Sequence, residues 1–440
     1  LLQYYVEQSI AFFGTSGKDR LSPLEQDIYT YLSENIADVA QNGGTTTFVN
    51  EEFGSYHNVK LQWTNTELGY ESIPNSDDTA NQIMELFSAQ FDFDKIIDAL
   101  LHDNPLNCYW LDKTTSVYYK ISISLSGMRD GYGNVIITSA AINKVEFDFP
   151  VSDAYETDSD ELSVNGEIVK LWAKCNEELE ETALYAYENY TDTYSRLLYF
   201  KDYICDKTHY NHSAADGGNF AADATPWQII GVFDPDNTAG VVCEGYSKTF
   251  QQLCDKLNSY DDSFICYTVT GLMDGGTGAG LHMWNIVNLD GENYIADITN
   301  CDSGTIGQNG ELFMACADGS VNSGYNVNID GYNIAFSYDE ATLLLFDNDV
   351  LEISDTEYPE KSDEPDTPVI PDEPDPPVIP DEPDPPVVPD EPDQPGIGDI
   401  TNSGAVSADV NWTADDTDSD GVADRITVNG SGDMPDFDDY

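Results

Sequence analysis

The apolar positions divide the chain into stretches of different period. Residues 22–42 place Ile28, Tyr31, Leu32, Ile36 and Val39 on one helical face. Ser22-Pro23-Leu24-Glu25 opens this stretch as a capping box with proline at the first helical position, and Gly43-Gly44 closes it. A short strand, Thr46–Asn50, follows. Residues 79–101 read as one further helix through Ile83, Leu86, Phe87, Ile96, Ile97 and Leu100. From Cys108 to Phe149 the period falls to two. Val117–Leu125 alternates, and Val135–Val151 is a second β-rich run. Residues 167–212 return to helical spacing around Leu171, Leu179, Leu184, Leu197 and Ile204. Mixed helix and strand signals continue to about residue 350. The whole pattern predicts an α+β protein.

The composition then shifts. Three copies of a nine-residue unit begin at Pro368, Pro377 and Pro386, reading PVIPDEPDP, PVIPDEPDP and PVVPDEPDQ. Proline at this density favours polyproline II, so the 27 residues would span roughly 80 Å as a stiff spacer. A docking ligand for a proline-binding domain is the lesser reading, because the repeat is very regular and acidic. Residues 397–440 return to short strands and turns, such as Val406–Trp412 and Arg425–Asn429. The expected organisation is an N-terminal α+β module at 1–150, a main domain at 151–353, an acidic linker at 354–396 and a short β segment at 397–440.

Charge narrows the partners. The chain has 82 acidic and 17 basic residues, a net charge of -65. Residues 363–394 carry 12 acids and no base, and 397–440 carry 11 acids and one base, so residues 1–362 are strongly acidic as well. Such a field repels phosphate backbones and anionic lipid, which argues against nucleic acid and membrane surfaces. No run of about 18 apolar residues exists to span a bilayer. The chain opens on Leu1-Leu2-Gln3, so a removed leader is compatible with it. Eight cysteines without CxxC spacing argue against a disulfide scaffold and a zinc site, and no cofactor is expected.

Three segments carry candidate chemistry. Tyr246, Phe250, Leu253 and Leu257 recur at helical spacing, which puts Cys243 at or just before a helix N-terminus. The unpaired N–H groups and positive dipole end there stabilise a thiolate. Gly280–Val287 and Tyr294–Thr299 read as strands joined at Leu289-Asp290-Gly291-Glu292, where Asp-Gly favours a type I′ turn. With a two-residue loop at 290–291, paired positions sum to 581, and His282 and Asp297 fall on one face as diagonal neighbours. A three-residue loop without a bulge would put them on opposite faces. An imidazole steered by a carboxylate and reaching a helix-tip thiol is the arrangement of nucleophilic acyl transfer. Singly, each residue has a plainer reading: a structural cysteine, a satisfied core histidine, an aspartate beside a turn.

VCEGYSKTFQQLC, a YTVTG strand and HMWNIVNLDGENYIADITN closely resemble the transglutaminase-like superfamily over about 195–305. The resemblance implies a papain-like core, a helix-borne cysteine packed on an antiparallel sheet. Cys243, His282 and Asp297 match its triad, and Gly245, Tyr246, Trp284 and Thr299 match its flanking motif positions. Leu281 stands where relatives often have proline. The resemblance implies acyl transfer through a Cys243 thioester, to an amine in crosslinking or to water in hydrolysis. It implies a protein or peptide substrate, with lysine-rich acceptors weakly favoured by the acidic surface, and substrate contacts at Trp284 and Tyr246. Pro226-Trp227-Gln228 and the 1–150 module look like parts of secreted proteins of anaerobic Gram-positive bacteria, so the cell surface or exterior is the expected location. The rival class is a surface adhesin or scaffold that keeps the core only as a binding module.

Other signals are weaker. Gln228 stands where papain-like enzymes carry an oxyanion glutamine, though its spacing to Cys243 is not diagnostic, and its neighbour Trp227 reads as core. The glycine-rich stretch 272–280 is a rim over the thiol or a plain connector. Cys254 and Cys266 flank a helix-to-strand step and can form a disulfide only if geometry allows. Asp416, Asp418 and Asp420 have calcium-loop character, but Thr427 stands where an EF-hand needs glutamate, so an acidic hairpin turn is the preferred reading.

Overall fold

The computed structural model describes residues 17–359, except 52, 56–57, 113–114, 158–159, 216–225, 262, 276–279 and 322, together with strands at 402–407, 410–415 and 425–430. The chain divides into two compact units, Leu1–Thr367 and Pro368–Tyr440. It is α+β.

The first unit begins with helix α1 (Pro23–Asn42). Its capping box is complete: the Ser22 hydroxyl accepts from the Glu25 amide, and the Glu25 carboxylate accepts from the Ser22 amide. Ile28, Leu32, Ile36 and Val39 of the expected stripe are buried. The predicted single helix at 79–101 is two, α2 (Asp77–Ser88) and α3 (Phe93–Asp103). The break lies at Asp92, whose side chain accepts from the Lys95 amide and starts α3 afresh.

Four strands form the N-terminal sheet: β1 (Thr47–Asn50), β2 (Gln62–Thr64), β3 (Tyr118–Arg129) and β4 (Val135–Asp148). The long β3–β4 ribbon takes β1 and β2 in turn along the free edge of β4. Phe87, Phe147 and Phe149 pack beneath this sheet, and its apolar contacts are continuous with those of the following elements. Residues 1–150 and 151–353 therefore share one core.

The predicted helical stretch 167–212 resolves into α4 (Val169–Asn189), α5 (Thr193–Lys207) and one short turn at His212–Ala215. The cysteine-bearing helix, α6 (Cys243–Leu257), follows. It lies against a seven-stranded antiparallel sheet of β5 (Phe264–Asp274), β6 (Gly280–Leu289), β7 (Glu292–Ala296), β8 (Phe313–Ala315), β9 (Ser320–Val321), β10 (Gly324–Ile329) and β11 (Tyr332–Tyr338). Their order across the sheet is β8-β7-β6-β5-β11-β10-β9. A short helix, α7 (Glu340–Leu345), follows the sheet, and one more helical turn lies at Asn348–Leu351. No described helix is long and apolar enough to cross a membrane.

In the second unit, β12 (Asn402–Ser407), β13 (Val410–Asp415) and β14 (Arg425–Gly430) form an antiparallel sheet in sequence order. The expected strand at 406–412 is thus two strands with a break between them. The proline repeat and the carboxylates Asp416, Asp418 and Asp420 lie outside the described residues, as do residues 276–279 of the glycine-rich stretch.

Candidate active site

Cys243 is the first residue of α6. Val242 precedes it in extended geometry, and no side chain caps the amides at the start of the helix. The approach to the helix is fixed on both sides. Val241 bridges Tyr210 in parallel, and the Val242 amide donates to the Pro226 carbonyl at 2.9 Å. Gly245 must be glycine here: a Cβ would lie 2.7 Å from the Val241 side chain. Tyr246, Phe250, Leu253 and Leu257 are all fully buried, as their spacing predicts. Two hydrogen bonds lock the helix to β6. Ser247 Oγ donates to the Met283 carbonyl at 2.9 Å, and Asn285 Nδ2 donates to the Ser247 carbonyl at 3.1 Å.

The hairpin carries the other two residues. Leu289 pairs with Glu292, Val287 with Tyr294 and Asn285 with Ala296, which is the register expected from a two-residue loop. Asp290 and Gly291 have φ of 56° and 87°, as a type I′ turn requires. Strand β7 ends at Ala296, one residue before Asp297, and a 3₁₀ turn follows at Thr299–Cys301. On the other side of β6, His282 pairs with Gly271 of β5. A Cβ at Gly271 would overlap the Ser337 carbonyl of β11, so this position must be bare.

His282 Nε2 and Asp297 Oδ2 are 2.8 Å apart. The carboxylate is wholly buried, and Asn300 supports it twice: its amide bonds Oδ1 at 3.3 Å and its Nδ2 donates to Oδ2 at 2.8 Å. The imidazole is 7% exposed, stacked on the Trp284 ring at 5.9 Å and 15°. Cys243 lies beside it, near enough to favour its protonated form. Burial alone would lower the basicity of this ring, but Asp297 and then Cys243 outweigh it and raise its pKa to about 10. The cysteine is partly exposed and opens onto a cleft of about 350 Å³ lined by Trp227, Glu244, Thr270, Leu281 and Met283.

Several expectations shift in detail. Trp284 and Tyr246 are fully buried, so neither side chain reaches the cleft. Trp284 backs the imidazole, and the Tyr246 hydroxyl donates to Asp302 at 2.6 Å. Trp227 and Gln228 exchange roles. Trp227, read as core, is half-buried on the cleft wall, whereas Gln228 Nε2 donates to the Leu111 carbonyl and faces a separate cavity. Gln228 is thus not in position to serve an oxyanion. Asn300 escaped the sequence reading, although Asp297 and Asn300 have the i, i+3 spacing of a side chain folding onto a turn. Cys254 and Cys266 are buried free thiols in contact, not a disulfide. Among the described residues, no group of three His, Cys, Asp or Glu is arranged to hold a metal ion.

No protein-family model matches the chain. No curated protein matches it either. Among solved structures, the chain is similar to a candidate cysteine protease from Cytophaga hutchinsonii, at 13% identity over 52% of this chain and 89% of that one. It is similar to a structure described as a TGase, at 14% identity over 42% and 46% of the two chains. A third likeness is to a candidate protease from Parabacteroides distasonis, at 10% identity over 56% and 43%. The chain thus spans less than half the length of the second and third structures. All three have a TM-score of 0.23, so the chemistry of the site rests on its own geometry.

Proposed function

We propose that this chain is a cysteine-dependent acyl transferase acting on protein or peptide amides, with Cys243 as nucleophile, His282 as acid and base, and Asp297 as the group that steers His282. One observation carries this reading: a single buried imidazole bonded to a carboxylate and set in one cleft beside a helix-tip sulfur. Nε2 is engaged by Asp297, which leaves Nδ1 for the thiol.

In this reading Cys243 sulfur attacks the amide carbonyl carbon, and the carbonyl π pair moves to oxygen. The Cys243 backbone N–H, uncovered at the helix start, donates to that oxyanion. Collapse breaks the C–N bond, and the His282 cation passes its proton to the departing amine. A thioester remains on Cys243. His282, now neutral, takes a proton from the incoming amine or water as it attacks, and the second collapse frees the sulfur. The acceptor decides between crosslinking and hydrolysis. A bacterial cell-surface setting fits the acidic composition, with the proline repeat as a spacer.

Alkylation by iodoacetamide, read site by site in a mass spectrometer, tests the proposal. Cys243 should react selectively near neutral pH, and His282→Ala should slow it sharply. Burial holds the Cys205 thiol up at about 12, so that partly exposed cysteine is a fitting internal control. Equal labelling of Cys243 and Cys205 would favour a non-catalytic binding module.

A further inference from the structure

A second cavity, of about 240 Å³, lies beside the cleft and shares Glu244, Thr270 and Met283 with it. Part of its wall comes from the N-terminal region, through Asp98, Leu101 and His102 of α3 and then Cys108 and Leu111. The volume is below the ~300–1,000 Å³ of pockets for drug-sized ligands, so it suits one side chain and not a whole cofactor.

The hydrogen-bonding groups of the cavity are unequally used. Its donors are mostly engaged. Gln251 Nε2 donates to the His102 carbonyl, Thr268 Oγ1 donates to Gln251 Oε1, and Thr342 Oγ1 donates to the Thr270 carbonyl. The cation in the wall, Lys248, is matched by Glu244 at 2.9 Å. Two acceptors remain. Gln228 is 2% exposed and its Oε1 has no hydrogen-bond partner. Asp98 has no ion pair among the described residues. Burial first, and then the carboxylates Asp94, Asp339 and Asp92, push Asp98 up to about 6. The remaining walls, Leu101, Leu111, Met283, Leu345 and Phe346, are apolar. A buried acceptor without a donor costs free energy that a ligand donor recovers.

We propose that this cavity is a substrate subsite for a lysine side chain, its methylenes against the apolar wall and its ammonium between Asp98 and Gln228 Oε1. Lysine fits better than arginine. An ammonium brings three donors on a slim stem, whereas a guanidinium brings five in a rigid plane, more than two free acceptors satisfy. The proposal deepens the acyl-transfer reading and rests on it: the lysine belongs to the polypeptide lying in the Cys243 cleft. It also gives residues 1–150 a task, as the wall that selects the substrate.

The experiment uses the full chain carrying Cys243→Ala, so that binding is measured without turnover and its outcome is independent of whether the thiol is reactive. Nα-acetyl-lysine N-methylamide and its norleucine counterpart are titrated by ligand-observed NMR. The lysine compound should bind about tenfold or more tightly than norleucine, and Asp98→Asn should erase that preference while leaving the norleucine affinity unchanged. Equal binding of the two compounds, tighter binding of norleucine, or no binding of the lysine compound at millimolar concentration overturns the proposal. The lysine-to-norleucine ratio needs no substitution in the cavity, so it decides the matter even where Asp98→Asn does not fold. Loss of selective Cys243 alkylation in the unsubstituted chain would instead overturn the acyl-transfer reading, whatever the binding result.

Discussion

Among the described residues are two histidine–aspartate pairs with the same 2.8 Å separation, and only one sits at a candidate active site. His282 meets Asp297 through Nε2 and Cys243 through its other side. His102 meets Asp103 through Nδ1, and its Nε2 accepts from the Thr268 backbone amide at 3.3 Å. Asp103 in turn accepts from the Gly17 and Lys18 amides and the Tyr29 hydroxyl, tying the start of the described chain to α3. The first pair is short of partners on the side that faces the cleft, whereas the second is saturated on every side. What a His–Asp pair does is therefore set by the third group it meets, a thiol in one case and a peptide N–H in the other.

That contrast is open to direct attack. The largest effect expected is on the catalytic side: His282→Ala should lower amide turnover by roughly 10³-fold or more, read as kcat/KM once a substrate is in hand and as the Cys243 alkylation rate before then. Asp103→Ala should leave the Cys243 alkylation rate within a few-fold. It should lower unfolding free energy by about 3 kcal/mol in urea melts, because it strands buried donors and a buried imidazole. If Asp103→Ala abolished alkylation in a folded protein, the separation of roles would fail.

The two pairs should also differ in pH dependence. His282 has a folded pKa raised above its ordinary 6.5, so its contribution to stability is full below about 6.5 and is lost as pH rises toward 10. Asp103 is held below the usual carboxylate range. Its burial opposes this, but His102 and the two backbone amides outweigh it. Its contribution is present above about pH 4 and is lost as pH falls through the lowered pKa. Urea midpoints across pH should show a shallower alkaline slope in His282→Gln and a shallower acid slope in Asp103→Asn. The reverse assignment would contradict the described geometry. The smallest effect belongs to Asn300→Ala, which removes one donor from Asp297 and should slow Cys243 alkylation about tenfold, with Asn300→Gln no substitute because its longer reach misplaces the amide.

Local rules made much of the site legible. The period of Tyr246, Phe250, Leu253 and Leu257 locates the helix that presents Cys243, and the parity of the 290–291 loop puts His282 and Asp297 on one face. The break at Asp92 was missed because the apolar spacing on either side runs on through it, while an N-cap overrides the period. Trp227 and Gln228 were exchanged because an irregular turn has no periodicity to tell its two faces apart. The His102–Asp103 pair and the second cavity were beyond reach for a different reason. His102 and Asp103 are neighbours on α3, but the groups they meet and the second cavity arise only where α3 reaches α6, β5 and α7, each more than 100 residues further along the chain.

The turn at Asp290–Gly291 has a consequence for how this hairpin tolerates change. Because side chains alternate with a period of two, the loop behaves as a phase lock between a base and its steering acid. An insertion of one residue there would turn Asp297 away from His282 and invert the buried side chains Tyr294, Ile295 and Ala296 of β7 with it, and one bulge on β7 would restore the phase. Lengthening by two would leave the phase intact. Working variants of this fold should therefore change that loop in even steps, or in odd steps accompanied by a bulge, and chains that break this rule should lose the chemistry together with part of the sheet's packing.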